Sequence, residues 1–243
     1  MYEEGVLAGL LEAEQVKPED RRPFTVVVEG NIGSGKSTFL GFLAKHEQIE
    51  VVEEPVSKWK DLQGHNLLQK MYEDPGKWCE IFQAYVLLTV MQGHISKTGR
   101  KIKVMERSVQ SSQFCFAENL LSSGKMSPEG HAVISAWFDF LNATPAIDLG
   151  VDMVVYLKTS PEKALERVMA RGRGEEQAVP LSYLRELHER HEDWLVRKAF
   201  PVPAEVLVLD GDQGKESMEM ESGALVEQLL QRGEGGGQAP AAV

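Results

Sequence analysis

The segment Gly30-Asn31-Ile32-Gly33-Ser34-Gly35-Lys36-Ser37 constrains this chain more than any other. It matches G-x-x-x-x-G-K-[ST]. In that pattern the glycines let backbone N–H groups curl around phosphate oxygens, the lysine reaches the β- and γ-phosphates, and the hydroxyl ligates Mg²⁺. From average residue frequencies, a chance match in a chain of this size is on the order of one in a hundred. The flanks narrow it further. Phe24-Thr25-Val26-Val27-Val28 reads as a short buried parallel strand, and Phe39, Leu40, Phe42 and Leu43 fall at helical spacing over 37–46. Strand, Gly-rich loop and helix in that order are the context the motif needs, and the helix start near Lys36 adds the positive end of its dipole. Gly30, Asn31, Ile32, Gly33, Ser34, Gly35, Lys36, Ser37 and Thr38 are expected to hold the phosphates of a nucleotide.

The rest of the chain repeats the alternation. Strands are expected at Glu50–Glu53, stopped by Pro55, and at Lys101–Met105, Val151–Leu157 and Val206–Leu209. Helices are expected over 65–95 with a break near Asp74-Pro75-Gly76, and over 107–121, 128–143, Pro161–Ala170 and Leu181–Lys198. This predicts an α/β fold, a five-stranded parallel sheet covered by helices on both faces. Ligands of such sheets sit beyond the carboxyl ends of the strands. Residues 1–22 read as a flexible N-terminal segment, with a short helix over Val6–Glu14 and a lead-in over Lys17–Pro23. Residues 23–215 read as one domain, and 216–243 as a C-terminal helix with a Gly/Ala/Pro-rich disordered tail from Gly233.

Charge narrows the partners. Lys and Arg number 26 against 37 Asp and Glu, a net charge of −11, which argues against a duplex nucleic acid partner. No run of 18 apolar residues suggests a membrane span. Six acids within residues 1–22 (Glu3, Glu4, Glu12, Glu14, Glu19 and Asp20) are unlike a transit peptide. The expectation is a cytoplasmic protein, mitochondrial if a longer form carries a targeting peptide. Cys79 and Cys115 lack metal-ligand spacing and are expected in the core.

The strand ends carry the chemistry. Glu53-Glu54-Pro55 places an acid beside the phosphate loop, a candidate base for an attacking hydroxyl. Glu106 can hold Mg²⁺ directly or through water, and Arg107 can neutralise charge on a moving phosphoryl group. Arg167, Arg171 and Arg173, in a stretch with Gly172 and Gly174, suit a lid that closes on phosphates. His188 and His191 sit one helical turn apart with no third ligand and read as a solvated helix face. Trp59, Trp78, Trp137 and Trp194 read as core, and Gln83 carries an amide able to pair with a base edge. A GTPase switch would carry D-x-x-G and N-K-x-D, and the expectation is that neither is present. A nucleoside monophosphate kinase is the nearest alternative, but it needs arginines for an acceptor phosphate, whereas an acid at Glu54 suits a neutral hydroxyl.

From Phe24 to Asp210 the chain resembles the animal deoxyribonucleoside kinase family, closest to its mitochondrial thymidine kinase and insect multisubstrate branches. The resemblance rests on Val28–Thr38, Glu54-Pro55-Val56-Ser57-Lys58-Trp59, Met105-Glu106-Arg107-Ser108, Arg171-Gly172-Arg173-Gly174-Glu175-Glu176 and Pro180-Leu181-Ser182-Tyr183-Leu184. It implies a P-loop kinase fold with an Arg-rich lid, a homodimer, and transfer of the γ-phosphate of ATP, with Mg²⁺, to the 5′-hydroxyl of a deoxyribonucleoside. By the same resemblance Glu54 is the general base, Lys36 and Arg107 serve catalysis, and Ser37 and Glu106 face the metal. Gln83 pairs with a pyrimidine, Phe116 stacks on it, and Trp59 forms a wall. Val86, Val90 and Ser112 line the base cavity, and Tyr72 with Glu176 holds the 3′-hydroxyl. Arg167, Arg171 and Arg173 surround the donor, although Met169 and Ala170 are uncharged where some relatives are basic. The uncharged pair Val90 and Ser112 stands where purine- and cytidine-preferring relatives carry Arg and Asp, which favours thymidine and deoxycytidine.

Overall fold

The computed structural model describes residues 22–233. The expected helix over Val6–Glu14, most of the lead-in over Lys17–Pro23 and the tail over 234–243 lie outside them. The β-branched run after Pro23 forms β1 (Phe24–Glu29), buried along its whole length. Such burial requires cover on both faces, and β1 sits at the centre of the sheet. With β2 (Ile49–Val52), β3 (Ile102–Glu106), β4 (Met153–Lys158) and β5 (Glu205–Asp210) it makes a five-stranded sheet of order β2-β3-β1-β4-β5. Every pairing is parallel. The expected strands are all present, with ends shifted by one or two residues. The register sets Val28 opposite Glu106 and Val52 opposite Met105, so the acids at the carboxyl ends of β1, β3 and β2 lie together.

Alternation along β1 splits the core. Val26 and Val28 pack with Phe39, Leu40 and Leu43 of α1 (Lys36–Leu43) and with Leu225, Val226 and Leu229 of α9 (Lys215–Gly233). Val27 faces the opposite side, toward Cys115, Tyr156, Trp194 and Leu195. That side is covered by α5, a helix over 109–122 wound as a π-helix across Ser112–Ala117, and by α8, over 181–196, whose last turn Glu192–Val196 is also π-wound. The remaining helices are α2 (Val56–Lys60), α3 (Leu67–Glu73), α4 (Pro75–Ile95), α6 (Pro128–Ala143) and α7 (Pro161–Arg171). The expected break at 74–76 is real. Asp74 ends α3, and Pro75 opens α4 at a position where its missing N–H costs nothing. α2 was not foreseen, because five residues after a proline are too few to show a period.

Some expectations fail on packing. His191 is not on a solvated face. It is fully buried, stacked on Tyr156 at 6.0 Å, and its Nδ1 lies 2.7 Å from the Leu187 carbonyl. Burial, with Arg107 the next cause, lowers its pKa to about 3. Trp59 and Trp194 are core as expected, but Trp137 is 55% exposed. Cys79 and Cys115 are buried and unpaired. Asp61-Leu62-Gln63-Gly64 fits D-x-x-G by letters, which the sequence reading passed over. It forms a turn after α2, closed by a bridge between Leu62 and His65, and not a phosphate-sensing strand end. Among the described residues no helix is long and apolar enough to cross a membrane.

Candidate active site

Two clefts open at the carboxyl ends of the strands and meet at the Gly-rich loop. Gly30 and Gly33 both have positive φ, and a Cβ on Gly30 would stand 2.7 Å from the Leu157 carbonyl, so the loop tolerates no side chain there. Asn31 turns inward instead of toward a ligand: its Nδ2 donates to the Leu184 carbonyl at 2.7 Å, and its Oδ1 accepts from the Ile32 N–H. Lys36 is buried, and its Nζ donates to the Asn31 and Gly30 carbonyls at 2.9 and 3.3 Å. Burial, reinforced by the charge of Arg107, lowers its pKa to about 8.

The strand-end acids and Arg107 form one cluster. Arg107 has φ of 68°, a left-handed conformation that costs a non-glycine residue about 1–3 kcal/mol. The bend is fixed by its N–H on the Val28 carbonyl, and it sends the guanidinium across the loop. Nε donates to Glu54 Oε1 at 2.7 Å, Nη1 donates to the Gly30 carbonyl at 3.0 Å, and the group lies 4.7 Å from the Phe116 ring centre. Burial opposes its charge, but Glu54, Glu29 and Glu106 together outweigh burial and raise its pKa. Behind it, Glu29 is fully buried and accepts from Ser108 Oγ at 2.6 Å. Its pKa rises to about 7, burial outweighing the pull of Arg107. Glu106 is raised by burial, with Lys36 pulling the other way. Ser37 Oγ lies 3.2 and 3.3 Å from the Glu106 oxygens, and Lys36 Nζ lies 4.0 Å from Oε1. A hydroxyl and a carboxylate converging beside a phosphate loop are hard oxygen donors that fit Mg²⁺, which binds through few protein ligands plus phosphates and water. No cluster of three acidic, His or Cys ligands occurs among the described residues.

The first cleft, a cavity of about 310 Å³, reaches from Lys36, Glu54 and Arg107 down to Gln83, Val86, Ser112 and Phe116. Trp59 is buried along it, its indole N–H on Thr89 Oγ1 at 2.8 Å and its ring edge-on to Phe82 at 5.6 Å. Gln83 is 3% exposed, and its Oε1 accepts no hydrogen bond. An orphaned buried amide oxygen in a cavity is the mark of an absent partner. Tyr72 and Glu176 line the mouth, and burial raises the Tyr72 pKa well above its usual range. Val90 does not line this cavity. It is buried one turn further along α4, in the cluster of Trp59, Phe82, Val86 and Val109, so it bounds the pocket from behind.

The second cleft, of about 750 Å³, runs from Gly33–Thr38 to the loop Asp212–Lys215 beyond β5. Arg171 and Arg173 stand between the clefts, and both pair with Glu176, Arg173 at 3.3 Å. Arg167 is not free to swing. Its guanidinium donates to the Ser34, Gly211 and Gln213 carbonyls at 3.1, 2.7 and 3.2 Å and braces the phosphate loop against the β5 loop. Sequence reasoning missed Leu68, Met71, Phe82 and Tyr183 in the first cleft, and Asp212, Gln213 and Met218 in the second. The last group had a signal. Asp210-Gly211-Asp212-Gln213-Gly214 follows a strand, where the carboxyl-end rule applies.

Comparison with known proteins agrees with this geometry. The family model described as deoxynucleoside kinase matches residues 26–231. A human protein named thymidine kinase 2, mitochondrial, is 42% identical over 201 residues, covering 82% of this chain and 75% of the relative. Deoxycytidine kinase 1 of Xenopus laevis is 35% identical over 84% of this chain and 88% of its own length, and mouse deoxycytidine kinase 37% identical over 74% and 78%.

Proposed function

The chain belongs to the deoxynucleoside kinase family, a salvage kinase and not a nucleoside monophosphate kinase, and from that premise we propose that thymidine and deoxycytidine are its preferred acceptors. The observation that carries the preference is the orphaned Oε1 of Gln83, set in a cavity whose base-side residues Val86, Ser112 and Phe116 bear no charge. An amide offers one donor and one acceptor edge, and its rotation matches either pyrimidine. The small, uncharged neighbours leave room for the thymine methyl group. Phe116, already under Arg107, stacks on the base, and Tyr72 and Glu176 take the 3′-hydroxyl.

In the reaction, the 5′-hydroxyl attacks the γ-phosphorus of ATP and gives its proton to Glu54. The bond to the bridging oxygen breaks, and ADP leaves with the electron pair. Lys36, Arg107, Arg171 and Arg173 meet the charge spread over the phosphoryl oxygens. Ser37 and Glu106 would hold Mg²⁺, which supplies further neutralisation of the phosphates when bound. Arg167 contributes by fixing the loop carbonyls. The kinase domain spans 23–215, with α9 closing one face of its core. The compartment is cytoplasmic, or mitochondrial for a form with a targeting peptide.

The test is initial-rate phosphorylation of the four natural deoxyribonucleosides with ATP and Mg²⁺, with thymidine monophosphate as a control. Thymidine and deoxycytidine are expected to exceed deoxyadenosine and deoxyguanosine in kcat/KM by about tenfold or more, the scale of a filled or unfilled buried hydrogen bond. A purine at the head of the order would refute this picture of the pocket.

The homodimer rests on an exposed apolar face. Ile81, Leu88 and Ile95 recur every seven residues along α4, and Val133, Trp137 and Phe140 share one side of the neighbouring α6, all 45–57% exposed. Large apolar side chains grouped on adjacent helices are expensive to leave in water and suit a two-fold helical interface. Trp137→Glu is expected to turn a dimer into a monomer in sedimentation equilibrium. A monomeric wild type would reject the assignment.

A further inference from the structure

Arg107 reaches across the phosphate loop because the chain bends sharply between β3 and α5. Its φ of 68° is a conformation that a side chain disfavours, so the surroundings have to hold it. Three consecutive residues at the carboxyl end of β1 take part. The Val28 carbonyl accepts from the Arg107 N–H at 3.0 Å. The Glu29 carboxyl accepts from Ser108 Oγ at 2.6 Å. The Gly30 carbonyl accepts from Arg107 Nη1 at 3.0 Å. The first and third act on Arg107 itself, and the second fixes the residue that follows it, closing the bend from its far side. Ser108 is also the N-cap of α5. Its Oγ accepts from the Ser111 N–H at 3.2 Å, and Ser111 Oγ accepts from the Ser108 N–H at 3.3 Å. Capping uses only the oxygen of the hydroxyl, so the helix start does not by itself require an acid behind it. Yet Glu29 is 0% exposed and its Oε2 accepts no hydrogen bond, an expensive burial for a carboxyl group. Burial lifts its pKa to about 7, and in either protonation state a carboxyl oxygen is left to accept from Ser108.

We propose that Glu29 is a positioning residue for Arg107, holding the Ser108 hydroxyl so that the bend between β3 and α5 keeps the guanidinium on Glu54 and over the phosphate loop. This rests on the assignment of Arg107 to the moving phosphoryl group. The feature required of Glu29 is its reach to Ser108 and not its charge, because the counter-charge bonded to Arg107 is Glu54.

The measurement is kcat and the KM for thymidine in variants of both partners. Glu29→Asp keeps the charge but draws the carboxyl back by one methylene, about 1.5 Å, away from Ser108. Its kcat should fall by about tenfold or more, since misplacement of about 1 Å can cost about 10²-fold. The KM for thymidine should stay within about threefold, because the base and the 3′-hydroxyl are held elsewhere. Glu29→Gln gives up the charge and keeps the acceptor, and its kcat should stay within about threefold of wild type. Ser108→Ala removes the donor and should match Glu29→Asp, with the double variant no worse than either alone. In an Arg107→Ala background, Glu29→Asp should cost nothing further, as it acts through that arginine. A residue that served stability only would lower the melting temperature and leave kcat per folded molecule unchanged. Wild-type kcat in Glu29→Asp and Ser108→Ala, or damage from glutamine in place of aspartate, overturns the proposal and leaves the role of Arg107 standing. Turnover of Arg107→Ala within about tenfold of wild type overturns the assignment of Arg107, and the proposal with it.

Discussion

Lys36→Ala is expected to lower turnover by about 10³-fold while the protein stays folded, the scale of removing one preorganised donor from developing charge. In the apo protein Lys36 donates to the carbonyls of Gly30 and Asn31 and stands 4.0 Å from Glu106. Alanine leaves those two carbonyls short of a donor, which costs about 1–3 kcal/mol. It also removes a buried charge whose pKa had fallen to about 8, chiefly from burial, and the two effects offset. Melting temperature should therefore move little. The same shift gives a second readout. At pH 9 the apo lysine is mostly neutral, and an arriving triphosphate favours its charged form, so donor binding should take up a proton and donor affinity should fall as pH rises above 8. Calorimetry in buffers of different ionisation enthalpy reads this uptake, which should vanish in Lys36→Ala. Turnover within about tenfold of wild type, about 1.4 kcal/mol of barrier, would reject the role of Lys36.

The parts of the site that were legible in the sequence are those where backbone geometry admits few residue types. Gly30 and Gly33 are forced by positive φ and by close carbonyls, so the phosphate loop can be read letter by letter. Glu54, Glu106 and Arg107 follow from a rule about strand ends once the strands are found. What stayed hidden depends on which way a side chain turns. Arg167 and Arg171 look alike in sequence, yet one is held by three carbonyls and the other faces Glu176. Val86 and Val90 share a face of α4, but only Val86 lines the cavity, while Val90 is buried among the apolar side chains of the cluster that also holds Trp59 and Val109. Trp137 and Trp194 are equally apolar, and only the packing of α6 at the outside of the molecule separates exposed from buried. The π-wound stretch of α5 had no signal at all, although it carries Ser112 and Phe116 into the cavity.

Glu54→Gln should lower kcat by about 10²-fold or more and change the KM for thymidine only a few-fold, the pattern of a lost proton acceptor. Glutamine has nearly the same shape, and its Oε1 can still accept from Arg107 Nε, the 2.7 Å contact that orients both groups. Arg107 keeps its charge, because Glu29 and Glu106 also face it. The arginine should thus remain over Phe116 with its reach to the phosphoryl group intact, and the substitution removes basicity with little else. Glu54 is also well placed to be selective for the attacking oxygen. It follows β2 by two residues, the next residue, Pro55, is the N-cap of α2, and only 15% of its side chain is exposed, so it has little freedom to serve another position. Glu54→Asp retains the base but draws it back by one methylene, about 1.5 Å, breaking the contact with Arg107. Its kcat should fall between wild type and Glu54→Gln, since misplacement of about 1 Å can cost about 10²-fold. The order wild type, aspartate, glutamine in kcat is what separates a base from a binding group. Equal kcat in all three, with only the nucleoside KM raised, would make Glu54 a contact for the sugar and leave the 5′-hydroxyl proton to another acceptor.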